Sequence, residues 1–101
     1  MFDKLFQAQQ KAEEVKKRLD AITVSGEAEG GKIQVSLSGN KEVRDIQIDP
    51  DFHRDTDAEA LGELLAIAIN KALKQADEIS QAEMQAVTKD MLGGMGGLFG
   101  Q

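Results

Sequence analysis

Three cations recur at intervals of seven residues near the start of the chain: Lys4, Lys11 and Arg18. On an α-helix that interval keeps them on one edge, about 10.5 Å apart. Such a row can pair with acids across a helix interface or grip the phosphates of a nucleic-acid backbone. Lys16 and Lys17 add two charges to the same segment. Glu14 lies four residues before Arg18 and Glu13 four before Lys17, so both cations can be partly neutralised within the helix. Lys4 and Lys11 have no acid at that spacing and read as the freer cations, with Gln7 and Gln10 beside them as hydrogen-bonding groups for a sugar–phosphate backbone.

Other constellations carry less. Gly26-Glu27-Ala28-Glu29-Gly30-Gly31-Lys32 matches the start of a P-loop, GxxxxGK. Ile33 then stands where a magnesium-binding hydroxyl is needed, two glutamates occupy the phosphate position, and the following residues alternate as a strand. A hairpin turn is expected there. Asp49, Asp51, Asp55 and Asp57 are spaced loosely like calcium ligands, but Arg54 and Ala60 fill the positions that require Gly and Glu. His53 is the single histidine, and no nucleophile is implied beside it. There is no cysteine, which excludes disulfides, thiolate chemistry and Cys-based zinc sites. No enzyme, metal or cofactor is indicated.

The elements that must position the cations follow from periodicity. Leu5, Ala8, Ala12, Val15, Leu19 and Ile22 form a heptad seam, predicting a helix over Asp3–Asp20. The period then changes to two. Ile22-Thr23-Val24-Ser25 predicts a first strand, and Ile33, Val35 and Leu37 a second after a Gly30-Gly31 turn. Ile46 and Ile48 predict a third after the turn Ser38-Gly39-Asn40-Lys41. Val43 is out of phase with that strand, so a bulge or a late start is expected near it. Asp49-Pro50 ends the strand, and Asp51–Asp57 reads as an acidic connector. Thr56 and Glu59 fit a capping box. The final helix carries Leu61, Leu64, Leu65, Ala68, Ala72, Ala76, Ile79, Ala82 and Ala86 on one broad face, and is predicted to run to about Lys89, with Gly93 as its latest stop. Leu61, Leu65, Ala68 and Ala72 are expected to cover the sheet or a dimer seam.

The resulting class is α+β: helix, three-stranded antiparallel meander, long helix (α-β-β-β-α). Residues 1–90 form a single domain, and residues 91–101 are expected to be a flexible Gly/Met-rich tail. A docking peptide using Leu92, Met95, Leu98 and Phe99 is the alternative for that tail. A final helix of this length exceeds the diameter of a compact domain of 101 residues, so part of it should project or pack on a second chain.

Charge narrows the function. The chain has a net charge of -6, with 12 basic and 18 acidic residues. Residues 1–48 balance at 8 basic and 8 acidic, so the whole deficit lies after Ile48. Lys4–Leu19 holds 5 basic and 2 acidic residues, a local excess of +3. Weak, salt-sensitive backbone contact by the first helix is compatible with an acidic chain on those terms. The opening residues lack an apolar signal core and no run reaches membrane-spanning length, so a cytoplasmic protein is expected.

The most specific stretch is Ile22-Thr23-Val24-Ser25-Gly26-Glu27-Ala28 through Gly30-Gly31-Lys32-Ile33-Gln34-Val35-Ser36-Leu37-Ser38-Gly39, closing with Ile46-Gln47-Ile48-Asp49-Pro50. With Leu64-Leu65-Ala66-Ile67-Ala68-Ile69-Asn70-Lys71-Ala72, the Gln-rich start Gln7-Ala8-Gln9-Gln10 and the Met/Gly-rich end, it resembles the YbaB/EbfC family of bacterial nucleoid-associated proteins. The resemblance covers nearly the whole chain. It implies a tweezer-like homodimer that binds DNA with little sequence demand and serves nucleoid organisation and gene regulation, with no catalysis, cofactor, membrane or small-molecule substrate. The projecting helices are the implied DNA-contacting parts. Many relatives have a longer N-terminus, and the second helix here is strongly acidic. Candidate phosphate contacts are Lys4, Lys11, Lys16, Lys17 and Arg18, with Lys71 and Lys74 as weaker candidates. The alternative is a protein-interaction module in which the heptad helix and the long helix recruit a partner protein.

Overall fold

A computed structural model describes the backbone of residues 2–95 and the side chains of residues 3–90. The element order is α1 (Phe2–Ala21), β1 (Thr23–Ala28), β2 (Ile33–Ser38), β3 (Val43–Ile48), α2 (Pro50–Asp55) and α3 (Ala58–Met95). The radius of gyration is 19.4 Å and the extents are 65 × 23 × 18 Å. A compact chain of this length would have a radius of about 13 Å. The helices therefore reach well beyond the sheet, as the length of the final helix predicts.

The sheet is an antiparallel meander in the order β1-β2-β3. Val24 pairs with Leu37, Gly26 with Val35 and Ala28 with Ile33, so these six residues share one face. The first strand is longer than its β-branched start predicts, because Gly26 and Ala28 continue the inward phase. On the other side Ile33 pairs with Ile48, Val35 with Ile46 and Leu37 with Val43. The register shifts between Ser36 and Leu37. Arg44 is the extra residue, so the bulge returns Val43 to the apolar face.

Helix α3 lies across that face. Ala68, Ala72 and Ala76 are fully buried against Val24, Ala28, Ile33, Val35 and Leu37. Leu61, Leu64, Leu65 and Ile69 pack around them, as their spacing predicts. The contact is close because Gly26 has no side chain. A Cβ there would stand 2.1 Å from the Ala68 carbonyl oxygen and 2.7 Å from the Ala72 nitrogen. Farther along α3 the half-buried positions become Ile79, Ser80, Glu83 and Val87, while Ala82 and Ala86 are exposed. The expected face thus turns at Ile79, where the helix leaves the sheet and meets α1.

Helix α1 spans one residue more at each end than predicted. Its seam is buried at Val15 and Leu19, but Leu5 is 65% exposed. The end of α1 is held by the turn between β2 and β3. The Leu19 carbonyl accepts from Ile22 N–H at 3.1 Å and Gly39 N–H at 2.9 Å. The Asn40 amide donates to the Lys16 carbonyl at 2.9 Å and to Asp20 Oδ1 at 2.7 Å. The Arg44 guanidinium donates to the Asp20 carbonyl. These bonds satisfy carbonyls that the last turn of a helix leaves without partners.

Three expectations are corrected. The acidic connector contains a short helix, α2, because Asp49 accepts from Phe52 N–H at 2.9 Å and Pro50 occupies the first helical position. The residue read as a strand terminator also starts a helix. The cap of α3 is Asp57, whose carboxylate accepts from Ala60 N–H at 2.7 Å. Thr56 is extended at the end of α2 and does not form the expected box with Glu59. Finally, α3 continues to Met95, past both Lys89 and Gly93. Extending an existing helix adds one hydrogen bond per residue, which offsets the modest helix penalty of glycine there. Residues 96–101 of the expected tail lie outside the described residues.

Two glycines give opposite predictions. Gly26→Ala forces β1 and α3 apart and should lower unfolding free energy by about 1–3 kcal/mol or more in urea denaturation. Gly62 sits in α3 with open space around it. Gly62→Ala should raise stability by about 0.5–1 kcal/mol in the same measurement.

Candidate nucleic-acid interface

The cations of the first helix are carried on an arm. Helix α1 is anchored at its C-terminal end by the β2–β3 turn, and the distal part of α3 runs beside it. Lys4, Lys16 and Lys17 are exposed and form no ion pair with any described residue. The other two have partners on α3. The Arg18 Nε and Nη2 groups both donate to Glu83 Oε2, at 3.1 and 3.0 Å. Lys11 Nζ lies 4.0 Å from Asp90 Oδ2.

This differs from the pairing expected within α1. Arg18 turns away from Glu14 towards Glu83, and Lys11 has an acid within reach. A partner 65 positions away is invisible to a spacing rule that looks four residues back. Lys71 does not join the row. Its ammonium donates to the Glu27 carbonyl at 3.2 Å, over β1. That position is about 18 Å along α3 from Glu83. Lys74 is exposed on the same stretch and makes no ion pair with the described residues.

Arg44 is a cation that the spacing arguments missed. Its bond to the Asp20 carbonyl sets it at the C-terminal end of α1, where Lys16, Lys17 and Arg18 also lie. The bulge that predicts an irregularity at Val43 is the signal that could have found it. Lys41 is nearby in chain but is engaged with Asp77 at 3.0 Å.

The remaining constellations resolve into structural roles. The GxxxxGK stretch is the β1–β2 hairpin, with Glu29, Gly30 and Gly31 at positive φ. Asp49 and Asp57 cap helices, and Asp51 pairs with Arg54. His53 is exposed on α2. No group of three or more acidic or histidine residues among the described residues is arranged to hold a metal. An open groove of about 500 Å³ along α3 is lined by Ser80, Gln81, Met84, Gln85, Thr88 and Lys89. A second hollow of about 550 Å³ lies between Gly31 and Pro50 against β3, lined also by Lys32, Gln34 and Gln47. Neither brings a nucleophile to a base. No helix among the described residues is long and apolar enough to cross a membrane.

Apolar surface remains on the sheet face beside α3. Val43 is 54% exposed and Ile46 43%. Both point to the same side as the core, since they pair with Leu37 and Val35. Helix α3 covers β1 and β2 and leaves β3 open.

The sequence is 39% identical to a nucleoid-associated protein of Chloroflexus aurantiacus, over 92% of this chain and 89% of that one. It is 38% identical to a nucleoid-associated protein of Chlorobium phaeobacteroides, over 91% of this chain and 81% of the relative. The fold matches that of the uncharacterized protein HP0035 of Helicobacter pylori, with a TM-score of 0.69 over 87% of this chain and 88% of the other, at 24% identity. The family model of the YbaB/EbfC DNA-binding family matches residues 1–91. On this likeness and on its α-β-β-β-α fold, the chain belongs to the YbaB/EbfC DNA-binding family.

Proposed function

We propose that the protein is a nucleoid-associated homodimer that binds DNA through the sugar–phosphate backbone, with little demand on sequence, and serves nucleoid organisation and gene regulation. The carrying observation is the set of exposed cations on the projecting α1 that are unpaired among the described residues. Lys4, Lys16 and Lys17 are the primary phosphate contacts. Lys11 and Arg18 join them when they leave their α3 partners. Lys74 is a weaker contact, and Lys71 is occupied at β1. Long ammonium side chains on an exposed helix neutralise phosphates and carry no base-reading pattern, which fits sequence-independent binding. Family membership and the nucleoid-associated names of the relatives support DNA as the partner and the nucleoid as the location.

The dimer reading rests on Val43 and Ile46, two large apolar side chains left in water on the open side of the sheet. A second copy covering them would supply the core that one chain of this size lacks. It would also pair or cover the free edge of β3. Two arms would then project from one centre, giving the tweezer shape.

One observation favours a second reading. Leu5 and Phe6 are 65% and 60% exposed on α1, a surface suited to recruiting a partner protein. A stoichiometric partner that co-purifies and survives nuclease treatment would support that reading over DNA binding.

Gel-shift titration at two salt concentrations tests the primary proposal. Log K should fall linearly with log salt, by about 0.9 for each duplex phosphate neutralised. Lys4→Ala/Lys16→Ala/Lys17→Ala should weaken binding and lower the slope by about 0.9 for each lysine in contact. Unchanged affinity with the oligomer intact would sink the site assignment. For the dimer, sedimentation should give twice the chain mass of 10.9 kDa. Ile46→Asp and, separately, Val43→Asp should shift the mass to that of the monomer while helix content is kept.

A further inference from the structure

The two acids that meet the cation row share its spacing. Lys11 and Arg18 are seven residues apart, and so are their partners Asp90 and Glu83 on the opposed helix. Each pair is open to solvent. The Arg18 and Glu83 side chains are 49% and 27% exposed, and those of Lys11 and Asp90 are 41% and 73% exposed. Half-exposed ion pairs are weak and exchange their partners readily. The Arg18 pair is the firmer, because two N–H groups converge on one carboxylate oxygen at 3.1 and 3.0 Å. The Nε and Nη2 groups committed to Glu83 are the same donors that an arginine would offer to a phosphate. No Asp or Glu follows Asp90 in the sequence, so the series of acidic side chains stops before a third step.

We propose that Glu83 and Asp90 are built-in competitors of phosphate, which hold Arg18 and Lys11 back from a nucleic-acid backbone and so set the strength and salt sensitivity of binding. This rests on the reading of α1 as a phosphate-contacting helix. The row is graded in consequence: Lys4 is open, Lys11 loosely held and Arg18 firmly held. A duplex must displace a carboxylate before it gains either of the latter two. That keeps an arm with five cations from binding as tightly as its charge count allows. The acidity of α3 thereby acquires a local purpose that its overall charge does not reveal.

The test is anisotropy titration of a short fluorescein-labelled duplex across a salt series, using the full chain. Glu83→Gln keeps the shape of the side chain and removes its charge. It should tighten binding about two- to fivefold at low salt, the range of one exposed ion pair. The salt slope should steepen by about 0.9 for each Arg18 that gains a phosphate. Asp90→Asn should act in the same direction through Lys11, with a smaller effect. Glu78→Gln makes the same change of charge at an exposed α3 position outside these pairs, and should leave affinity and slope near wild type. In an Arg18→Gln background the gain from Glu83→Gln should vanish. If Glu83→Gln and Glu78→Gln give equal gains, the effect is net charge alone and the competition is refuted. If the wild type binds DNA and Glu83→Gln matches it, the competition falls and the functional reading stands. No binding by the wild type or any variant would overturn both.

Discussion

Everything in this molecule hangs on how closely α3 can lie on the sheet. Gly26 permits that approach, and Ala68, Ala72 and Ala76 continue it along the helix. Small residues on both sides bring backbone to backbone, so the core between them is thin and close-packed. Bulk is supplied from the strand side by Ile33, Val35 and Leu37, all fully buried. A thin core of this kind fixes the position of a helix well but encloses no chamber for a substrate. The fold is therefore built to hold long elements at a set angle.

The second anchor is polar. Helix α1 touches the rest of the chain through Val15 and Leu19, and its end is closed by Gly39, Asn40 and Arg44. Gly39 has the same geometric role as Gly26: a Cβ would stand 2.7 Å from the Leu19 carbonyl oxygen. Ser38 is buried in that turn, with its hydroxyl accepting from Asn40 and Glu42 N–H groups. The cationic end of α1 thus coincides with the negative end of its own dipole, which offsets the mutual repulsion of Lys16, Lys17 and Arg18.

Local patterns made much of this legible. Alternation at Ile33, Val35 and Leu37 places β2, and the wrong phase of Val43 announces the bulge. The alanine spacing on α3 identifies its buried stripe. What escaped depends on contacts between distant segments or on residues with two meanings. Proline at position 50 ends a strand and also opens a helix. Asp57 rather than Thr56 caps α3 because α2 ends at Asp55 and leaves only two residues of linker. At the candidate site, the basic character of α1 was readable from composition, whereas the availability of each cation was not. Arg18 and Glu83 are neighbours only because two helices meet after the sheet has formed, and Arg44 reaches α1 only through the bulge.

Helix α3 is one uninterrupted rod from the alanine stripe to its far end at Met95. About 28 Å of it extends beyond Ala76. A tilt of about 10° where Ala76 meets the sheet would swing that end by about 5 Å, more than the 3.4 Å rise along the axis per phosphate of one DNA strand. The close backbone approach at Gly26 therefore also fixes the tilt of the rod. It determines, at a distance of several turns, where the far end of α3 stands.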